Sequence, residues 1–251
     1  MKNQTPFRIK LFIVVLTMLA ACIAQSQITL QAGGGLGVAF PAGDFGGSTM
    51  DYYSGTKYGL STGFNLHGKI RAGLTGITLM GEVGYSSLTN KGNAEPPAQG
   101  NVEVSQKIVS VKVGPEYHFK LPAAPLEPYV GANLALNLIS GETTFQGVSK
   151  VSSATYSVKS ASRFGIGLNG GTIFSLGPLV SLDIALQYNI MNLFGKGYED
   201  VNPSQNQRID AYLALNDNPD PAFAPNDDKH FISSSRTIHS FMLTASLIFG
   251  L

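Results

Sequence analysis

Charged side chains recur at alternate positions beside apolar ones, where buried acids and bases could act together. The seven that lie opposite apolar faces are Lys69, Arg71, Glu82, Lys112, Glu116, Arg163 and Asp183. An isolated buried charge is very costly, so we expect these side chains to form an ion-pair network. In it Glu82 and Asp183 are anions, and Lys69, Lys112 and Arg163 are cations. We interpret the network as structural; an ion pathway or a catalytic cluster is the alternative.

Other motifs give no catalytic, cofactor or metal site. Residues 165–170 match G-x-G-x-x-G, but a dinucleotide site needs that turn to open a helix after a strand. Here the glycines continue an alternating, strand-like segment. The four histidines lack metal-ligand spacing. His239 and Ser240 could serve a lipid-modifying enzyme, but neighbours in one strand point to opposite faces and make a poor base and nucleophile.

The elements that must position the charged residues are strands, because apolar residues alternate with polar ones. Opposite Asp183, the apolar face of residues 180–191 carries Leu182, Ile184 and Leu186. Each run is close to the ~9–11 residues that a tilted strand needs to cross a bilayer. Eight segments follow this rule: 28–40, 58–71, 77–86, 109–119, 129–138, 163–174, 180–191 and 240–251.

The composition of the two faces indicates which one meets lipid. The polar faces carry mostly Gly, Ser, Thr and Asn, and no Asp, Glu, Lys or Arg falls on an apolar face. A Lys or Arg facing lipid at the midplane would cost ~2–4 kcal/mol. We therefore expect the apolar faces outward in a membrane, whereas a soluble secreted barrel would reverse them.

The connections alternate between short and long. Short turns at 72–75, 121–127 and 175–179 alternate with long loops at 41–56, 88–105, 139–161 and 193–235. This asymmetry indicates periplasmic termini and four external loops. In the fourth loop, Ser204 with Gln207 suggests a capping box and a short helix near 205–215. A calcium site is conceivable at 216–228, but no EF-hand spacing occurs, so we prefer a solvated loop.

The first 26 residues read as a signal peptide. A basic start precedes a 14-residue apolar run and a cleavage site before Gln27. A lipobox ending at Cys22, the only cysteine, leaves lipidation open. Cleavage after residue 26 removes three of 17 bases and leaves 14 against 16 acids, a net charge near −2. This charge gives no reason to expect a nucleic-acid partner.

Residues 27–251 resemble the small outer-membrane β-barrel domain family, which includes the OmpA- and OmpX-type barrels. The phrases that carry the resemblance are 35–45, 114–119, 128–132, 183–193 and the alternating end 241–251. The resemblance implies one closed, up-and-down antiparallel transmembrane barrel of about eight strands. It also implies insertion by barrel-assembly machinery that reads the last strand. With no tryptophan, an aromatic girdle must use residues such as Tyr58, Tyr85, Tyr117 and Tyr188.

The function expected from these features is that of a non-enzymatic integral outer-membrane protein. It would serve envelope integrity or surface interaction through its external loops, whose ligand the sequence does not name. An eight-stranded interior is filled by side chains, which argues against free diffusion of solutes. We expect a monomer in contact with outer-membrane lipids. The alternatives are a lipid-modifying barrel enzyme, a small channel and a soluble secreted barrel.

Overall fold

The fold is a closed barrel of eight antiparallel strands, as the sequence predicts. The computed structural model describes residues 29–74, 76–96, 99–122, 124–202 and 208–250, so the predicted signal peptide and Cys22 lie outside the described residues. The strands are β1 (Thr29–Ala42), β2 (Gly63–Leu74), β3 (Ile77–Glu95), β4 (Gln99–His118), β5 (Leu126–Gln146), β6 (Ala154–Ser175), β7 (Val180–Phe194) and β8 (His239–Gly250).

Each strand pairs with its neighbours in sequence, and β1 closes the ring by pairing with both β2 and β8. In this seam Phe40 lies opposite Phe241. The connections β1–β2, β3–β4, β5–β6 and β7–β8 lie at one end of the barrel, which we call the loop end; the first and last of them are long. Three short turns and both ends of the described chain lie at the other, which we call the turn end.

The half of every strand nearer the turn end, which we call the lower part, presents apolar side chains outward and polar ones inward. In β7, Ile184 and Leu186 are exposed, whereas Asp183 and Gln187 are buried in the lumen. In β3 the outward run from Ile77 to Tyr85 rises roughly 20 Å at ~3.3 Å per residue and a tilt of ~40°. That height approaches the ~25 Å apolar band of outer-membrane barrels.

Between this band and the loop end the pattern reverses: apolar side chains point inward and polar ones outward. In β4 the outward Val109 is followed towards the loop end by Ile108, Val104 and Val102, which all point inward and are buried. The outward positions there are polar, among them Lys107. The strands β3–β6 therefore continue beyond the band as two hairpins that form a half-barrel. Their apolar side chains point inward and their polar ones outward, as in a protein surrounded by water. The long loops expected at 88–105 and 139–161 are mostly strand.

The first and fourth loops fold against the inner side of this half-barrel. The first loop contains helix α1 (Thr49–Tyr53), which begins with a capping box: Asp51 N–H donates to Ser48 Oγ (3.1 Å) and Ser48 N–H donates to Asp51 Oδ2 (2.9 Å). The fourth loop contains a 3-10 helix, Arg208–Tyr212, within the expected range 205–215. The capping box expected at Ser204 and Gln207 lies outside the described residues.

The predicted start of the second strand at Tyr58 is wrong. The strand begins at Gly63, and Tyr58 and Leu60 are each 2% exposed within the folded loops instead of facing lipid. Their apolar side chains pack in the core formed by the loops instead of on the lipid-facing surface. Of the four tyrosines expected in a girdle, Tyr85, Tyr117 and Tyr188 do lie on the outer face.

No helix among the described residues is long and apolar enough to cross a membrane.

Candidate functional site

The lumen brings together six of the seven charged residues singled out in the sequence. Three cations, Lys69, Arg71 and Lys112, balance three anions, Glu82, Glu116 and Asp183, and all six are buried. Neighbouring strands supply them at matched heights: Lys69 lies opposite Glu82 between β2 and β3, and Glu82 opposite Lys112 between β3 and β4. The strand register therefore sets the ion pairs.

Asp183 accepts hydrogen bonds from three side chains. It accepts hydrogen bonds from Lys69 Nζ (3.1 Å), Arg71 Nη2 (2.9 Å) and the hydroxyl of Tyr129 (2.8 Å). Arg71 also donates from Nε to Glu116 (2.6 Å), and its guanidinium lies 4.7 Å from the centre of the Tyr129 ring. A cation shared by two carboxylates in this way fixes the spacing of β2, β4 and β7.

A second group lies around Glu82. Lys112 Nζ donates to Glu82 Oε1 (2.9 Å) and to Gln187 Oε1 (2.6 Å), while the Gln187 amide donates to Glu82 Oε2 (3.1 Å). Lys69 joins the two groups, since its Nζ lies 3.8 Å from Glu82. The charges thus form one connected network across the lumen, in the part nearer the turn end.

Arg163 does not belong to this network, so its assignment as one of the network's cations is corrected. It lies near the middle of β6, at the level where β7 ends, and binds the carboxylate of Asp217 through Nε (2.7 Å) and Nη2 (2.8 Å). The physical reason is height along the strand, which sets Arg163 beside the fourth loop. Sequence reasoning missed Asp217 because loop residues follow no periodic pattern.

A buried row of Asn65, His67 and Ser246 resembles a nucleophile with its base. His67 Nε2 lies 2.7 Å from Ser246 Oγ, and His67 Nδ1 lies 2.9 Å from Asn65 Oδ1. Both His67 and Ser246 are buried inside the barrel, and Ser246 lies in strand register between Gly35 and Asp183. Because sheet pairing engages the backbone there, no free N–H pair stands ready as an oxyanion hole.

His239 and Ser240 do not act together either. The His239 ring lies against Tyr188, with Nδ1 3.0 Å from the tyrosine hydroxyl. Ser240 is fully buried on the opposite face of β8. The described residues contain no group of three His, Cys, Asp or Glu side chains that could hold a metal ion.

The loop end is closed by a folded unit that we call the cap: residues 43–60, residues 208–238 and the upper parts of β3–β6. Tyr212 is central to its core and packs against Tyr52 and Phe145, with ring centres 5.2 Å apart in each case. Burial raises the pKa of Tyr52 to about 12, so its hydroxyl stays neutral and hydrogen-bonded to Thr143 (2.8 Å).

Arg236 ties the two loops of the cap together. Its guanidinium donates to the backbone carbonyl oxygens of Asn216 and Gly55 and lies 4.4 Å from the centre of the Tyr58 ring. Asp44 adds a second link by accepting from the backbone N–H of Thr237 (2.9 Å). The cap is thus cross-linked by buried polar bonds as well as by its aromatic core.

One turn of the cap projects an aromatic side chain into solvent. Phe223 is 43% exposed, whereas Tyr52, Phe145 and Tyr212 are buried. The turn is held at its base by Asp220, which accepts from the Tyr198 hydroxyl (2.6 Å) and the Ala222 N–H (2.8 Å) and lies 2.8 Å from Nδ1 of His230.

The fold and the lumen network together define an outer-membrane-type β-barrel, and comparison with known proteins gives its family. Residues 12–208 match the family model described as outer membrane protein beta-barrel domain. The match covers more than half of the chain, so this protein belongs to that family of bacterial outer-membrane barrels. No curated protein sequence matches the chain.

Several solved structures resemble the barrel at low identity. Neisserial surface protein A is 16% identical, with 88% of this chain and 96% of that chain covered and a TM-score of 0.46. OprG from Pseudomonas aeruginosa is 11% identical, with 90% and 97% covered and a TM-score of 0.47. Ail from Yersinia pestis, in complex with the heparin analogue sucrose octasulfate, is 14% identical, with 88% and 97% covered and a TM-score of 0.35.

Proposed function

We propose that this protein is a non-enzymatic, closed outer-membrane barrel that presents a rigid external cap for surface interaction. The observation that carries the proposal is the cap itself. Its loops are packed around Tyr212 and cross-linked by Arg236, so they offer a pre-formed surface, and pre-formed loops lose little entropy on binding. In this proposal the barrel is a monomeric scaffold that lipids surround and assembly machinery inserts.

The lumen network supports the closed state. Lys69, Arg71, Glu82 and Asp183 cross the lumen and bind one another, and the cap core lies above them. We expect purified protein in a planar bilayer to show no large, steady conductance. Such a conductance would contradict a closed lumen and would favour a small channel.

The orientation that we propose places the cap outside the cell and the turn end in the periplasm. A signal peptide at residues 1–26 would deliver the chain to that side for insertion. After cleavage the chain has no cysteine, so single cysteines are clean reporters. On intact cells, a membrane-impermeant maleimide should label Asp228→Cys and leave Lys120→Cys unlabelled. The reverse pattern would overturn the orientation.

Phe223 is the side chain on which we centre the contact surface. Aromatic anchors held on rigid elements often dominate binding at interfaces. Asp227 and Asp228 follow Phe223 by four and five residues, and Lys150 Nζ binds Asp228 at 2.7 Å. We therefore propose a partner with an apolar pocket for Phe223 and a basic group for Asp227.

The test is adherence of cells that display the protein to neighbouring cells and to protein-coated surfaces. We expect Phe223→Ser to lower adherence towards the level of cells without the protein. Met50→Ser is the matched control, because Met50 is also an apolar cap residue at 43% exposure. If wild-type display gives no adherence above background, or if both variants lower it equally, surface interaction through Phe223 is wrong.

A further inference from the structure

The turn end of the lumen contains a polar cavity that neither the ion-pair network nor the cap requires. Its volume is about 90 Å³, and its lining includes Thr29, Gln31, Arg71, Thr78, Lys120 and Glu127. At ~30 Å³ per water molecule, this is room for about three waters or one small polar ion. Two hydroxyl groups and an amide supply hydrogen-bond donors around the two cationic side chains.

Arg71 lines this cavity and has one donor that no protein group uses. Its side chain is buried, with Nε bound to Glu116 and Nη2 bound to Asp183. Its remaining nitrogen, Nη1, is buried and finds no hydrogen-bond partner among the described residues. A buried N–H without an acceptor is costly, so a ligand that offers an oxygen to this nitrogen would be stabilised.

The charged side chains of the lining are Arg71, Lys120 and Glu127. Glu116 and Asp183 balance the charge of Arg71 within the network, so Lys120 is the cation that the lining offers to an anion. Glu127 lies on the side of His118, with its carboxylate 2.8 Å from Nδ1. The other carboxylates near Arg71 are already engaged, since Glu116 also accepts from Asn169 (2.7 Å) and Asp183 also accepts from Tyr129 and Lys69.

We propose that this cavity binds a small oxyanion, a phosphate or carboxylate group, that enters from the turn end. Arg71 Nη1 would donate to it from inside and Lys120 from the rim, with Thr29 and Thr78 as neutral donors. Charge-assisted hydrogen bonds of this kind are about twice as strong as neutral ones. The site goes beyond the proposed surface function, because it lies at the opposite end from the cap.

The test is calorimetric titration of inorganic phosphate into full-length protein in an uncharged, phosphate-free detergent. We expect saturable binding that Lys120→Ala weakens by about tenfold, the effect of one lost charge-assisted bond. Lys107→Ala is the matched control, because it removes an exposed lysine from the middle of β4, away from the turn end. Arg71→Lys keeps the charge but removes the guanidinium, and should abolish binding in protein that still folds.

Two results would overturn the proposal. One is the absence of saturable binding for phosphate, sulfate and acetate alike, which would mean that water alone fills the cavity. The other is equal weakening by Lys120→Ala and Lys107→Ala. Repeating the titration in phosphatidylglycerol nanodiscs separates two sources of the same group. Retained binding supports a free anion, whereas Lys120-dependent competition by the lipid supports a headgroup phosphate.

Discussion

At the scale of single residues, the buried charges hold strands together and depend on one another. Asp183 is contacted by Lys69, Arg71 and Tyr129, which come from β2 and β5, while Asp183 itself lies on β7. A buried ion pair adds little over apolar packing, yet removal of one partner leaves an uncompensated charge. The network therefore makes the correct register much more stable than any shifted one.

Asp183→Asn tests this dependence. The substitution keeps the size of the side chain but leaves Lys69 and Arg71 short of one negative charge, so we expect a loss of about 3–5 kcal/mol in the free energy of unfolding. Denaturant titration in detergent micelles measures it. The exposed Lys107→Ala should stay within ~0.5 kcal/mol of wild type. A loss for Asp183→Asn as small as that of the control would refute a stabilising network.

Sequence alternation was sufficient to place these charges on inward faces, because strand geometry alone decides that. It could not decide their partners. Arg163 and Asp183 have the same pattern around them, yet Arg163 binds Asp217 in the fourth loop. Partner choice depends on height along the barrel and on loop folding, and neither leaves a periodic signal in the sequence.

At the scale of elements, the seam between β1 and β8 depends on an inward row of glycines, Gly33, Gly35 and Gly37. A Cβ added at Gly35 would lie 2.2 Å from the Ala245 carbonyl oxygen and 2.6 Å from Ser246 Oγ. No side chain fits at that distance from backbone. The glycines therefore allow β1 to approach β8 closely enough to close the ring.

We expect Gly35→Ala to impair closure of the barrel. The folded fraction, read as heat-modifiable migration on gels, should fall because the new methyl group meets rigid backbone. Gly177→Ala is the control, since a Cβ there meets nothing within 4 Å. Equal folding of the two variants would show that the seam tolerates a side chain.

The exposed turn of the cap should respond to acid through Asp220. Burial alone would raise the pKa of this carboxyl, but hydrogen bonds from Tyr198, Ala222 N–H and His230 together hold the pKa below its usual range. A lowered pKa in the folded state contributes stability above the unfolded value of about 4, and this is lost as the pH falls through the folded pKa. The turn should therefore be rigid at neutral pH and loosen only in acid.

Fluorescence anisotropy of a tryptophan in Phe223→Trp measures this rigidity, because the chain has no other tryptophan. We expect a constant anisotropy from neutral pH down to about pH 4 and a fall below it. Adding Asp220→Asn should lower the anisotropy at neutral pH, while Asp228→Asn should leave it unchanged. If Asp220→Asn leaves the anisotropy at neutral pH unchanged, Asp220 does not hold the turn.

The sequence predicted the membrane-crossing parts of the strands better than the parts beyond the membrane. Within lipid the apolar residues point outward, and beyond it they point inward, so the pattern shifts by one position at Ile108–Val109 and again at Leu138–Ile139. A prediction that uses only the apolar alternation therefore ends each strand at this shift, although the strand itself continues. The same change of environment explains why Tyr58 and Leu60 were assigned to lipid.

At the scale of the whole molecule, two solvents determine the architecture. Lipid requires apolar side chains on the outside of the lower barrel, and water requires them on the inside of the half-barrel and cap. The ion-pair network fills the lower lumen, and Tyr212 and its neighbours fill the upper one. The cap can thus be rigid although only four of the eight strands, β3–β6, extend into it.

The central claim is that the lower outer face contacts lipid while the cap remains in water. Single tryptophans test it directly, by quenching with lipids brominated on their acyl chains. We expect strong quenching of Leu186→Trp, which lies on the outer face of β7, and none of Phe223→Trp in the cap. A tryptophan at 186 that is quenched by aqueous iodide but not by brominated lipid would contradict the account.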